Sequence, residues 1–212
     1  MTAGADPDDD ALRRADAAGV PVSRVSERVA AALSETRHPQ GVIAVVDLPD
    51  IPLDAVLSQR ARLVVVLVGA ADPGNAGTVI RTADAAGADA VIVTRGSVDP
   101  FGGKCVRASA GSIFHVPVVT GVELGATITA LREAGLQVLA TTLDGADLDS
   151  LAVELTAPTA WLFGSEAHGL ETAGVDGADL RVRIPMHGRA ESLNLATAAA
   201  LCLYASARAQ RG

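Results

Sequence analysis

The sequence predicts an α/β protein built on a parallel sheet that helices cover on both faces. Short runs of β-branched and other apolar residues alternate with Ala-rich segments of helical length. Three of these runs end in Gly-containing polar segments, as expected at the carboxyl edge of a parallel sheet. With 212 residues, 49% of them hydrophobic, the chain can bury one good core and add a small second unit.

The elements are predicted in the following order. Residues 1–10 form an acidic leader, predicted to be disordered, and are followed by helices over 11–18 and 27–34 and a strand over 41–46. Residues 50–60 are predicted to be a linker, because prolines interrupt regular structure around them. In the main domain, 61–212, strands are predicted at 63–68, 90–93, 116–119, 136–141, 159–163 and 180–184, and helices at 76–86, 104–110 and 122–134.

A final helix follows the last strand and is almost wholly apolar from Leu195 to Tyr204. A helix that is apolar on every side is predicted to be buried on every side. Its first turn carries unpaired N–H groups and the positive end of the helix dipole. We therefore expect ligand oxygens, or a capping side chain from Ser192 or Asn194, at this position.

Charge and composition limit the possible partners. The net charge of −8 counts against a nucleic-acid partner, so RNA binding would depend on a local patch of arginines. No apolar run approaches the roughly 20 residues that span a membrane, and the start of the chain lacks the positive charge of a signal peptide. Two cysteines and four scattered histidines predict no metal site. We expect a cytoplasmic protein.

Three segments carry the most specific pattern in the chain. They read Asn75-x-Gly77 with Arg81, then Gly164-x-Glu166-x-x-Gly169-Leu170, then Ile184-Pro185-Met186 with Ser192-Leu193-Asn194. In order and spacing, these segments resemble the three motifs of the SpoU (TrmH) family of RNA ribose 2′-O-methyltransferases. The resemblance covers roughly residues 61–209, and although each motif alone could occur by chance, three in order after predicted strands are specific.

The resemblance implies the SPOUT architecture, in which the C-terminal segment forms a trefoil knot. It also implies S-adenosylmethionine as cofactor, RNA as partner, no metal and a homodimer. Residues 34–42 resemble the end of the ribosomal-protein-like RNA-binding domain that precedes the catalytic domain in many relatives. Residues 11–49 are therefore expected to be a small α/β part of that domain. Either its front half is missing because the chain is shortened, or the segment is a remnant that packs on the main domain.

The resemblance also implies the roles of individual residues. The positions that match catalytic residues are Asn75, Arg81, Glu166, Ser192 and Asn194, and those that match cofactor-binding residues are Gly164, Ile184, Met186, Leu193 and Ala196. Arg81 and Arg107 are expected to contact RNA. Family proposals make Arg81 the base that takes the 2′-proton. Because an arginine is almost never neutral at pH 7, the alternative role, stabilisation of charge on the ribose oxygen, is electrostatically easier. Glu166 could instead be structural and Asn75 a turn residue.

The function predicted is transfer of a methyl group from S-adenosylmethionine to a ribose 2′-oxygen of RNA. Ribosomal RNA is favoured over transfer RNA because of the N-terminal resemblance. A non-catalytic RNA-binding or ribosome-assembly protein that retains a cofactor pocket is the main alternative, and base methylation is a third. A dinucleotide-binding or P-loop protein is not favoured, because neither GxGxxG nor GxxxxGK[ST] occurs.

Overall fold

The structure is a computed structural model that describes residues 10–36, 41–165, 168–170 and 172–212. The chain divides into two compact units, Met1–Leu48 and Pro49–Gly212. Residues 1–9 of the predicted leader lie outside the described residues. Asp10, the last residue of that leader, begins the first helix.

The first unit contains two short helices. Helix α1 is Asp10–Ala17, and helix α2 is Glu27–Leu33, where the Ser26 hydroxyl accepts a hydrogen bond from the Val29 N–H and caps the helix. The strand predicted over 41–46 is wrong, because only an isolated bridge forms at Val42. Val45 is 88% and Val46 56% exposed, so the end of this apolar run is not buried in a core.

The segment predicted as a linker, 50–60, has regular structure. Helix α3, Leu53–Leu57, begins after Pro52 and buries Val56 in the core of the second unit. Asp50 forms a parallel bridge with Val118, and its carboxylate accepts hydrogen bonds from the N–H and hydroxyl of Thr120. Proline at the start of a short helix is compatible with that helix, so the expectation that the prolines interrupt regular structure here is wrong, whereas the linker assignment stays a prediction.

The second unit is built on six parallel strands, as predicted. The strands are β1 Leu63–Leu67, β2 Ala90–Thr94, β3 Val118–Val122, β4 Gln137–Asp147, β5 Thr159–Phe163 and β6 Leu180–Arg183. Their order in the sheet is β3-β2-β1-β5-β4-β6. The carboxyl ends of β1, β5, β4 and β6 therefore lie at one edge of the sheet.

Helices cover both faces of this sheet. They are α4 Pro73–Ala86, α5 Gly103–Ser109, α6 Leu124–Glu133, α7 Thr172–Asp176 and α8 Leu195–Arg211. Alternate residues of β1 point into different cores: Val65 packs with α4 and α8, and Val66 packs with α3 and α6. The short helix α7 and the 3₁₀ turns at Ser112–Phe114, Leu148–Ser150 and Glu154–Thr156 were not predicted.

Helix α8 is not buried on every side, so that prediction is wrong. Ala199, Cys202 and Leu203 are buried, whereas Leu201 is 45% and Tyr204 47% exposed. A helix that packs on one face of a sheet, with nothing outside it, keeps the opposite stripe in contact with solvent. No helix in the described parts of the chain has the length and apolar character needed to cross a membrane.

Candidate active site

A cleft of about 840 Å³ opens at the carboxyl edge of the sheet, beside the ends of β4, β5 and β6. This volume lies in the range of small-molecule binding sites. Its walls combine aliphatic side chains with backbone and hydroxyl groups. Four of the five predicted cofactor-binding residues line it, namely Gly164, Ile184, Met186 and Leu193.

Gly164 lies where two backbone segments approach closely. The chain turns back after β5, and Ser165 and Gly169 exchange two backbone hydrogen bonds of 3.0 and 2.8 Å. A Cβ atom at position 164 would overlap the backbone of Gly169 and Leu170. Glycine is therefore required for this turn to close against the strand and form the floor of the cleft.

The end of β4 forms a wall of the cleft that the sequence did not reveal. Thr141, Thr142 and Leu143 line the cleft, although only residues 136–141 were predicted as strand. Their place in the cleft could have been inferred, because they lie at the carboxyl end of a predicted parallel strand, as the three Gly-containing segments do. His168, to which no role was assigned, also lines the cleft.

The entrance of α8 joins the first and third motif segments. The Asn194 side-chain oxygen accepts hydrogen bonds from the N–H groups of Ala196, at 2.9 Å, and Thr197, at 3.4 Å, and so caps the helix. The Asn194 amide also donates to the side-chain oxygen of Asn75 at 3.0 Å. Of the two capping candidates, Asn194 is the residue that caps α8. The same side chain also bonds Asn75, which lies 119 positions earlier in the chain.

The segment around Asn75 is held by Asp72. The Asp72 carboxylate accepts from the Asn75 N–H at 2.8 Å, capping α4, and from the Lys104 ammonium of α5 at 2.7 Å. The Lys104 hydrogen bond, followed by that of the Asn75 N–H, lowers the pKa of the Asp72 carboxyl. The start of α4 is thereby tied to α5 as well as to α8.

The remaining predicted site residues lie in different places. Ser192 is exposed and lines the cleft, whereas Ala196 is buried in the first turn of α8 and does not line it. Arg81 lies six residues beyond Asn75, about 9 Å along α4, is exposed and does not line the cleft. Arg107 is exposed in the last turn of α5, and Glu166 lies outside the described residues.

Metal ligands do not converge in the part of the chain that the structure describes. Within residues 10–36, 41–165, 168–170 and 172–212, no group of three His, Cys, Asp or Glu side chains could hold a metal ion. Besides hydrophobic residues, glycines and the two threonines, the cleft is lined by the polar or charged residues Ser165, His168, Arg183, Glu191 and Ser192.

Comparison with known families decides the assignment. The model of the SpoU rRNA Methylase family matches residues 62–204. The chain belongs to this family. A second model, described as RNA 2′-O ribose methyltransferase substrate binding, matches residues 1–52. The family predicted from the three motif segments is therefore confirmed, and so is the α/β fold with its parallel six-stranded sheet.

Two curated relatives of this SpoU-family chain are similar over most of their length. The 23S rRNA (guanosine(2553)-2′-O)-methyltransferase RlmP of Bacillus subtilis is 38% identical over 187 residues, which are 88% of this chain and 72% of the relative. The 23S rRNA (guanosine-2′-O-)-methyltransferase RlmB of Bordetella pertussis is 36% identical over 206 residues, covering 95% and 83%.

Solved structures of the family are also similar. The SpoU methyltransferase AviRb from Streptomyces viridochromogenes has a TM-score of 0.81 at 32% identity, over 99% of this chain and 80% of that chain. It is also known in complex with the cofactor AdoMet. An AdoMet-bound rRNA methyltransferase from Sinorhizobium meliloti has a TM-score of 0.75 at 34% identity, over 93% and 77%. The enzyme class and cofactor predicted from the sequence are those of these relatives.

Proposed function

We propose that this chain transfers a methyl group from S-adenosylmethionine to a ribose 2′-oxygen of ribosomal RNA. The observation that carries the proposal is the joining of the motif segments at one place. The second and third segments line one cleft, and Asn194 bonds Asn75 of the first segment across the entrance of α8. Membership in the SpoU family and similarity to two 23S rRNA 2′-O-methyltransferases support the substrate class.

The cleft fits the proposed cofactor. Its 840 Å³ suits a molecule of nucleoside size with an amino-acid tail, and its floor at Gly164 leaves no room for a side chain. Ile184 and Leu193 offer apolar surface for a ring, whereas Ser192 and backbone groups offer hydrogen bonds. When bound, S-adenosylmethionine supplies a methyl group on a positively charged sulfur. The residues of the chain must then orient the 2′-hydroxyl and help it to lose its proton.

Arg81 is proposed to act on the RNA rather than on the cofactor. Its guanidinium is exposed and forms no hydrogen bond or ion pair with the described residues, so it is available to a phosphate. A guanidinium paired with the adjacent phosphate would also stabilise charge that develops on the ribose oxygen. Asn75, Ser192 and Asn194 are proposed to orient the reacting groups, and Glu166 is proposed from its motif position alone.

The first unit is proposed to select the RNA. The family model for substrate binding over residues 1–52 supports an RNA-binding role for the predicted domain at 11–49. The exposed Arg107 on α5 is proposed as a phosphate contact of the catalytic domain, 61–212. An enzyme of ribosomal RNA would act in the cytoplasm. The trefoil knot implied by the resemblance stays a prediction.

A homodimer is proposed from the exposed stripe of α8. Leu201 and Tyr204 are one turn apart and about half exposed, so together they offer apolar surface on the solvent side of α8. Tyr204→Asp should convert a dimer into a monomer by light scattering without loss of helix content. A wild-type chain that is monomeric at micromolar concentration would contradict the proposal.

The decisive experiment is transfer of a labelled methyl group to unmodified ribosomal RNA, followed by digestion to nucleosides. We expect 2′-O-methylnucleosides, little activity with transfer RNA, and loss of activity in Arg81→Ala with unchanged cofactor affinity. A base-methylated product would overturn the ribose assignment. Binding of RNA and cofactor by a wild-type chain that transfers no methyl group would favour the non-catalytic alternative.

A further inference from the structure

The wall of the cleft formed by β4 is a bulge in the sheet. Thr141 and Ala146 both pair with Val182 of β6, so residues 142–145 loop out between two positions that share one partner. Two of these looped residues, Thr142 and Leu143, line the cleft. Leu143 is 80% exposed, so its apolar side chain lies at the rim of the cleft.

Glycine and backbone contacts shape this bulge. Gly145 has a φ of +119°, and a Cβ atom there would approach the backbone of Arg181 to 2.5 Å. The Thr142 hydroxyl donates to the carbonyl of Asp144 and closes the loop on itself. These contacts define the turn but do not attach the side of the bulge that faces the cleft.

Two ion pairs attach the bulge to β6. Asp144, in the loop, accepts from Arg181 at 3.1 Å. Asp147, two residues after the loop ends, accepts from Arg183 at 2.5 Å. Asp147 and Arg183 are direct cross-strand partners. Both pairs therefore attach the C-terminal side of the loop to one strand, and Arg183 itself lines the cleft.

Stability does not explain this arrangement. Both pairs have side chains that are between 41% and 72% exposed, and ion pairs of that exposure contribute little to the free energy of unfolding. What they do is hold Asp144 of the loop, and Asp147 two residues beyond it, against one strand. A ligand that covers the cleft would also exclude water from Arg183 and strengthen its attraction to Asp147.

We propose that the Arg183–Asp147 pair, assisted by Arg181–Asp144, is a positioning device that holds the Thr142–Leu143 wall against the bound cofactor. Arg183 and Asp147 are positioning residues in this proposal, not catalytic ones. The proposal rests on the placement of the cofactor in this cleft, which is itself part of the proposed function. It assigns a binding role to four charged residues that lie outside the three motif segments.

The test is calorimetric titration of S-adenosylmethionine into the full chain. Arg183→Gln and Asp147→Asn should each raise Kd about fivefold, equivalent to about 1 kcal/mol, whereas the exchanged pair Arg183→Asp with Asp147→Arg should recover part of the affinity. Arg132→Gln is the matched control, since Arg132 pairs with Asp179 at similar exposure away from the cleft. In methyl transfer, KM for S-adenosylmethionine should rise while kcat stays unchanged.

The outcomes separate this proposal from the proposed function. Leu193→Arg should abolish binding, and if it binds like the wild type, the cofactor is not in this cleft and both proposals fall. If Leu193→Arg loses binding while Arg183→Gln and Asp147→Asn bind like the wild type, only the positioning role is refuted. Weakening by Arg183→Gln alone also refutes it, because Arg183 would then act without Asp147.

Discussion

Replacement of Asn194 by alanine is expected to destabilise the second unit through two separate losses. The side-chain oxygen caps α8 by accepting from the N–H groups of Ala196 and Thr197, and the side-chain amide bonds Asn75. Alanine removes both functions. Serine at position 194 would keep a capping oxygen but is too short to reach Asn75, so the two losses can be measured separately.

The magnitude follows from the two interactions. Loss of an N-cap costs about 1 kcal/mol, and loss of a partly exposed neutral hydrogen bond costs about 0.5–1.5 kcal/mol. Asn194→Ala should therefore lower the free energy of unfolding by about 1.5–2.5 kcal/mol, which corresponds to about 4–8 °C in Tm for a unit of this size. Asn194→Ser should lose only the cross-link, about 1 kcal/mol and about 2–4 °C.

Thermal unfolding followed by tryptophan fluorescence measures this directly. Trp161 is the one tryptophan of the chain, and it is buried against α8 with its indole N–H bonded to Ser206 at 2.9 Å. Its emission therefore reports the unit that contains the substitution. The reasoning is refuted if the Tm of Asn194→Ala lies within about 1 °C of the wild type, well below the expected shift. It is also refuted if Asn194→Ser is as unstable as Asn194→Ala.

Three further outcomes are expected. Gly77→Ala should cost about 1–3 kcal/mol in urea unfolding, because its Cβ would lie 2.6 Å from that of Ala108, whereas Gly125→Ala, with open space around it, should be neutral or stabilising; equal effects would contradict this. The buried thiols should resist a disulfide reagent at pH 8 until the protein unfolds, and reaction of the native protein would refute this. Burial raises the pKa of the Cys105 thiol to about 11 and that of Cys202 further. As pH rises, the thiols of the unfolded state therefore lose their protons before those of the folded state, and the free energy of unfolding should fall above about pH 9. Cys202→Ala should make that fall smaller.

Much of the second unit could be predicted because its signals are local. The apolar runs of β1 and β5 are buried throughout, and the helix predicted at 76–86 forms, although it begins three residues earlier, at Pro73, because Asp72 caps it. These choices depend on residues within one or two turns of each other. The same rules failed at 41–46, where an apolar run has the composition of a strand but forms only an isolated bridge at Val42.

The sequence by itself determined the order of the six strands along the chain, the family and five residues that line the cleft, Gly164, Ile184, Met186, Ser192 and Leu193. Tertiary structure alone decided that Asn194 meets Asn75, that residues 142–145 leave the sheet, and that Leu201 and Tyr204 remain exposed. The physical reason is the same in each case. Strand register and helix orientation depend on partners far along the chain, and no local pattern encodes that two residues of β4, Thr141 and Ala146, will pair with the same residue of β6, Val182.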